Sequence, residues 1–220
     1  MVLMPRSSST VLLALHQVEV TRDGHAALRG VNMQVRSGRV HVVAGPNGSG
    51  KSTLLEVAAG LREPDAGRVT RRARSSVALV PQVVAAAGTG LPLTVTDVVA
   101  MGTWRRLGAW RPMRHQDRER VAAALDDMGL SSLARRPIGA LSGGQRQRAF
   151  IAQALVQQAD LLLLDEPMSG LDDRSRETVA ESISAVAHNG AAVVVVTHDV
   201  GEIVDVDETL ELLDGRVRAS

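Results

Sequence analysis

The sequence contains no cysteine, which excludes a disulfide framework and any thiolate metal site and fits a reducing compartment. It contains no tyrosine, one phenylalanine and two tryptophans, so no tyrosine ring is available for stacking. It also lacks any apolar run of the roughly 18 to 20 residues that a membrane-crossing helix needs. Residues 1–10 carry one arginine and several serines but no long apolar stretch, so they read as a loose tail and not as a secretory signal. An imbalance of charge is missing too. Twenty-five basic residues face 24 acidic ones, for a net charge of +1, which leaves no electrostatic footprint for nucleic acid. Lysine is scarcest of all: every basic residue is arginine except Lys51.

What remains is an ordinary globular composition, 45% hydrophobic and 22% charged over 220 residues. That length suits one large domain with room for an insertion. Apolar alternation or clustering predicts strands over residues 11–20, 31–35, 40–44, 76–80, 160–164 and 191–197. Helices are expected over 52–59, 94–101, 116–128, 142–158 and 172–188, the fourth capped by Ser142. Residues 208–213 and 216–218 read as a terminal hairpin. The alternation of strands and helices implies an α/β sheet layer, and the Ala/Gly-rich and Arg-rich stretches from 83 to about 137, with the helix that follows, imply a helical subdomain inserted in it at about 83–158. The domain is thus expected over residues 11–220, after a flexible tail.

Lys51 falls in Gly45-Pro46-Asn47-Gly48-Ser49-Gly50-Lys51-Ser52, a match to G-x-x-x-x-G-K-[ST] placed between a predicted strand and a predicted helix. Glycines there let successive N–H groups converge on phosphate oxygens, and the helix directs its positive end at the same anion. Lys51 is expected on the β- and γ-phosphates and Ser52 on Mg²⁺. The Thr53 hydroxyl suits the α-phosphate, or simply starts the helix. Downstream, Leu161-Leu162-Leu163-Leu164-Asp165-Glu166 is an apolar strand ending in two acids, where ligands of open α/β sheets gather. Asp165 is assigned to Mg²⁺ and Glu166 to the attacking water. Consecutive strand residues face opposite ways, so the strand must end between their roles, and Pro167 supplies that ending.

Leu141-Ser142-Gly143-Gly144-Gln145 offers a second anion site at a helix start. This run resembles the signature of ABC transporter ATPases, and the resemblance extends from about residue 12 to 217. It implies a P-loop NTPase fold: a RecA-like core sheet, an antiparallel β part and an inserted helical signature subdomain. It implies that Ser142, Gly143, Gly144 and Gln145 of one subunit close over the ATP of a second subunit in a head-to-tail dimer, most simply a homodimer. Gln82 resembles the Q-loop glutamine on Mg²⁺ or the lytic water, Ser169-Gly170-Leu171-Asp172 the D-loop, and His198 the switch histidine on the γ-phosphate. The other histidines, His16, His25, His41, His115 and His188, show no paired metal-binding spacing and read as surface or structural.

The family usually stacks an aromatic ring on adenine; counting back from Leu28 puts Arg22 at that place. A guanidinium can also stack on a flat ring, and a solvated loop arginine is the competing reading. The run VVAMGTWRRLGAW over 98–110, with Ile138-Gly139 before the signature, is similar to ATPases of zinc and manganese importers. The resemblance therefore implies ATP and Mg²⁺ as cofactors, a separate integral membrane permease, an extracytoplasmic substrate-binding protein, and a peripheral place on the cytoplasmic side of the membrane. Trp104 and Trp110 are candidate anchors for the permease, or part of the insertion's own core. Arg105, Arg106, Arg111, Arg114, Arg118 and Arg120 read either as facing the membrane surface or as a solvated helix face. Competing functions are an ATPase of another importer or exporter and an ABC ATPase of translation or repair, which usually needs fused cassettes or a long coiled coil.

Overall fold

A computed structural model describes residues 9–82, 93–108 and 111–218. Strands β1 (Val11–Arg22) and β2 (His25–Arg36) form a long antiparallel hairpin, with β4 (Ala66–Arg71) on the other side of β1. The hairpin turns at Asp23 and Gly24, both at positive φ (50° and 79°), as a two-residue Asp-Gly turn requires.

The second sheet has the order β5 (Val77–Val80), β6 (Leu161–Asp165), β7 (Ala192–Thr197), β3 (Val40–Ala44), β8 (Glu208–Leu213) and β9 (Arg216–Arg218). All but β9 run parallel. A parallel sheet is buried on both faces, which explains the unbroken leucine and valine runs of β6 and β7. Leu162, Leu164, Val193 and Val195 enter one core, shared with the helices between β5 and β6. Leu161, Leu163, Val194 and Val196 enter the other, under the β1–β2 hairpin and the helix α1 (Lys51–Ala59).

Between β5 and β6 lie α2 (Val95–Ala100), α3 (Trp104–Leu107), α4 (His115–Asp127) and α5 (Gly143–Gln157); α6 (Asp173–His188) joins β6 to β7. Capping side chains set several starts: Thr94 with Asp97 for α2, Ser142 with Gln145 for α5, and Asp172 bonding Ser175 N for α6. Two elements were not anticipated from sequence. Strand β4 is almost wholly exposed, so it carries no hydrophobic periodicity, and α3 spans only four residues. The sequence-predicted start of the insertion, at 83, lies outside the described residues.

Candidate active site

Sheet register builds the site. Ala44 pairs with Thr197 and Asp165 with Val196, so the chain ends of β3, β7 and β6 are level at one edge. Each strand releases its functional loop there: residues 45–50 after β3, Glu166 after Asp165, and His198 after Thr197. Gln82 leaves β5 two residues beyond Val80, whose partner on β6 is Leu164.

The loop before α1 depends on glycine at two points. A Cβ on Gly50 (φ 103°) would stand 2.3 Å from the Ala27 carbonyl oxygen, and one on Gly45 would stand 2.2 Å from that of Leu212. The loop is therefore pressed between β2 and β8. Lys51 is buried, and its Nζ donates to the carbonyl oxygens of Gly45 (2.7 Å) and Pro46 (3.0 Å). Ser49 is also buried, and its Oγ has no hydrogen-bond partner among the described residues.

A cavity of about 580 Å³ opens above this loop, lined among others by Asn47, Gly48, Gly50, Lys51, Ser52, Thr53, Gln82, Asp165, Glu166, His198 and Arg22. Gly45, Pro46 and Ser49 are not part of that lining. Asp165 and Glu166 face the same space although they are consecutive, and the backbone shows why: Glu166 has φ 47°. This left-handed step breaks strand alternation at the acid itself, one residue before the Pro167 expected to do it. Glu166 Oε2 lies 2.9 Å from His198 Nδ1. Burial pushes the Asp165 carboxyl above its ordinary range; a hydrogen bond from Ser52 and the Lys51 ammonium oppose the rise, while Glu166 and Glu56 add to it.

The second predicted anion site is elsewhere. Ser142, Gly143 and Gly144 line a separate cavity of about 280 Å³ with Gln147 and Gly170, and it shares Gln82, Glu166 and Ser169 with the first. Gln145 lines neither cavity; it closes a capping box, its Oε1 accepting from Ser142 N (3.0 Å) and its N donating to Ser142 Oγ (3.2 Å). One chain thus holds the lysine loop and the serine-glycine turn apart.

A family model described as ABC transporter matches residues 28–169. The chain belongs to this family. It is the ATP-hydrolysing subunit of an ABC transporter, of the kind that pairs with a second cassette and works with a membrane permease. This ATPase is 36% identical over 210 residues to a metal transport system ATP-binding protein of Chlamydia pneumoniae, covering 93% of this chain and 81% of that protein. It is 36% identical over 214 residues to the zinc import ATP-binding protein ZnuC of Chelativorans sp., covering 96% and 71%. A manganese transport system ATP-binding protein, MntB of Listeria monocytogenes, is 36% identical over 199 residues, covering 88% and 82%. Among solved structures, an inward-facing transporter assigned to the metal-chelate type superposes with a TM-score of 0.80 at 30% identity, covering 94% of this chain and 82% of that one. A bacterial cassette solved as a dimer superposes at 0.81 with 27% identity, covering 94% and 97%.

Among the described residues of this ATPase, no helix is long and apolar enough to cross a membrane. Trp104 is 47% exposed at the start of α3; Trp110 lies outside the described residues. The basic set around it is not all free: Arg106 and Arg120 both pair with the buried Asp117, the first tying α3 to α4 and the second lying within α4. His41 is wholly buried, with Nε2 accepting from Arg36 N at 3.1 Å, a structural role. Sequence reasoning missed Ala27, which lines the cavity, and Glu56, which lies outside it but whose charge acts on Asp165. Ala27 carries no signal, whereas Glu56 follows Ser52 by four residues, one helical turn along the same face.

Proposed function

We propose that two copies of this ATPase, joined head to tail on the cytoplasmic face of the membrane, drive uptake of a divalent metal ion, zinc or manganese, through a separate permease supplied by an extracytoplasmic binding protein. The observation that carries the dimer is the separation of the two anion sites. Ser142 and Gly143 line a cavity that Lys51 does not, although the two cavities share Gln82, Glu166 and Ser169, and we read the turn that closes over the triphosphate as that of a second subunit. The names of the similar proteins, which include zinc, manganese, chelated-iron and metal transport proteins, support a metal cargo.

The cleft suits ATP. Lys51 is held on two neutral carbonyl oxygens, which can surrender the ammonium to phosphate, and Lys51, Ser52 and Thr53, at the positive end of α1, line the cleft. Ser52 and Asp165 supply a hydroxyl and a carboxylate, the hard oxygen donors that Mg²⁺ takes, with Gln82 beside them. When bound, Mg²⁺ supplies neutralisation of the β- and γ-phosphate charge. The remaining chemistry belongs to the chain. A carboxylate can only accept a hydrogen bond, so in the contact with Glu166 the hydrogen sits on His198 Nδ1, and the pair orients Glu166. Glu166 takes the proton of a water whose oxygen bonds to the γ-phosphorus as the bond to the β-phosphate oxygen breaks, giving ADP and phosphate. In this reading Thr53 serves the α-phosphate and Arg22 the adenine face. Gly143, Gly144 and Ser142, at the positive end of α5, receive the partner's γ-phosphate, with Gln145 holding their turn. Exposed Trp104 is the anchor we assign to the permease.

Two experiments test this. Radiolabelled zinc and manganese uptake, in cells with and without this chain, should fall together with its loss; unchanged uptake of both would reject the cargo. Cross-linking of cysteines introduced at Asn47 and Gly139 in the presence of ATP should join two subunits, and purely monomeric product would reject the dimer.

A further inference from the structure

The nucleotide cleft carries an ion-pair relay that begins outside its walls. Glu56 is on α1, one turn beyond Ser52, and does not line the cavity. The helix ends at Gly60, in the left-handed region at φ 79°, and the turn folds back so that Leu61 N (2.9 Å) and Arg62 N (3.3 Å) both donate to the Glu56 carbonyl oxygen. That turn returns the Arg62 side chain to its own helix, where Nε donates to Glu56 Oε2 at 2.9 Å. The other carboxylate oxygen, Oε1, lies 3.6 Å from Nη1 of Arg22. Arg22 does line the cavity, and its side chain is half exposed. The residue before it is held from the same loop, because Asp65 Oδ2 accepts the Thr21 N–H at 2.6 Å.

An isolated exposed ion pair does little. Here one carboxylate is braced by a second arginine on a closed turn, and the first arginine makes an ion pair with it through Nη1, while its Nε lies 4.0 Å from Asp23 Oδ2. A guanidinium held by its edge keeps its flat face for stacking. We infer that Glu56 is a positioning residue, holding Arg22 in place as the platform for the nucleotide base, with Arg62 bracing Glu56. The inference rests on the reading of Arg22 as that platform.

The test is equilibrium titration of the full chain with ATP and, separately, with inorganic triphosphate, which has phosphates and no base. Arg22→Ala and Glu56→Gln should each weaken ATP about two- to fivefold, the size of an exposed cation–π contact, and leave triphosphate affinity unchanged. The double variant should lose no more than Arg22→Ala alone, because Glu56 acts only through Arg22. Glu56→Asp should recover part of the loss. If Arg22→Ala leaves ATP affinity unchanged, the platform reading fails and takes the relay with it. If Arg22→Ala weakens ATP but Glu56→Gln does not, the platform stands and the relay is overturned. A Glu56→Gln effect of equal size on triphosphate, or one that adds fully to Arg22→Ala, also overturns it, since Glu56 would then be shaping α1 and the phosphate loop.

Discussion

Glu166 and His198, 32 residues apart in sequence, meet at 2.9 Å between Oε2 and Nδ1. The contact joins the end of β6 to the end of β7 and gives each residue a distinct test. Glu166→Gln keeps the shape of the side chain and removes its basicity. Turnover should fall by about 10²–10⁴-fold, the usual contribution of a general base, with ATP affinity retained and an ATP-bound dimer accumulating on size exclusion. His198→Ala should lower kcat while leaving ATP binding near wild type, because Lys51 and the loop N–H groups are untouched. Full turnover in the Glu166 variant would remove it from the mechanism.

Glycines of the phosphate loop separate strain from collision. Gly48 and Gly50 both have positive φ, 80° and 103°, but a Cβ on Gly48 meets nothing within 4 Å, whereas one on Gly50 meets the Ala27 carbonyl oxygen. Gly48→Ala should therefore cost only the left-handed penalty, about 1–2 kcal/mol. Gly50→Ala must move the backbone of β2 or of the loop, and should lose more stability and most ATP binding. Thermal denaturation and ATP titration of the two variants check the order.

The serine-glycine turn should show an effect on turnover that appears only in the assembled dimer. Ser142→Ala removes the cap on Gln145 N and should cost about 1 kcal/mol of stability. Gly144→Ala brings a Cβ within 2.9 Å of the Gly170 carbonyl oxygen and 3.0 Å of Leu171 Cδ2, pushing the turn away from the loop after β6. Both should retain single-subunit ATP affinity and lose ATP-driven dimerisation and hydrolysis. Weakened ATP binding by the lone subunit would contradict the division into two half-sites.

His41 predicts a pH dependence of folding. Burial holds this wholly buried ring below the ordinary histidine range, against the opposing pull of Glu208, whose carboxylate lies 3.2 Å from Nδ1, and of Asp207. The unfolded chain therefore takes up a proton at His41 before the folded one does. The stabilisation is present above the unfolded value of 6.5 and is lost as pH falls from there toward the folded value. Denaturant midpoints compared between neutral and mildly acidic buffer should drop more for wild type than for His41→Gln, which cannot titrate there. Equal drops would assign the acid sensitivity elsewhere.

Much of this molecule is legible residue by residue. The run Leu161–Leu164 announces a strand buried on both faces, and Ser142 and Asp172 announce helix starts by the oxygens they offer to backbone N–H groups. The Asp-Gly turn at 23–24 is equally available in the sequence, yet apolar alternation fades before Arg22, so only the separate strands 11–20 and 31–35 are predicted and not the long hairpin that joins them. Strand β4 gave no such sign, because a mostly exposed edge strand has no periodic burial to reveal it.

The sequence alone determined the glycine-rich loop before α1, the two acids after β6 and the capped serine-glycine turn before α5, since glycine conformation, charge and helix capping are local properties of adjacent residues. Only the tertiary structure decided that β6, β7 and β3 are neighbours at matching register, that Glu166 turns left-handed into the cleft beside Asp165, and that Ser142 opens into a different cavity from Lys51. Those facts depend on hydrogen bonds and packing between segments far apart in the chain, which no local pattern encodes.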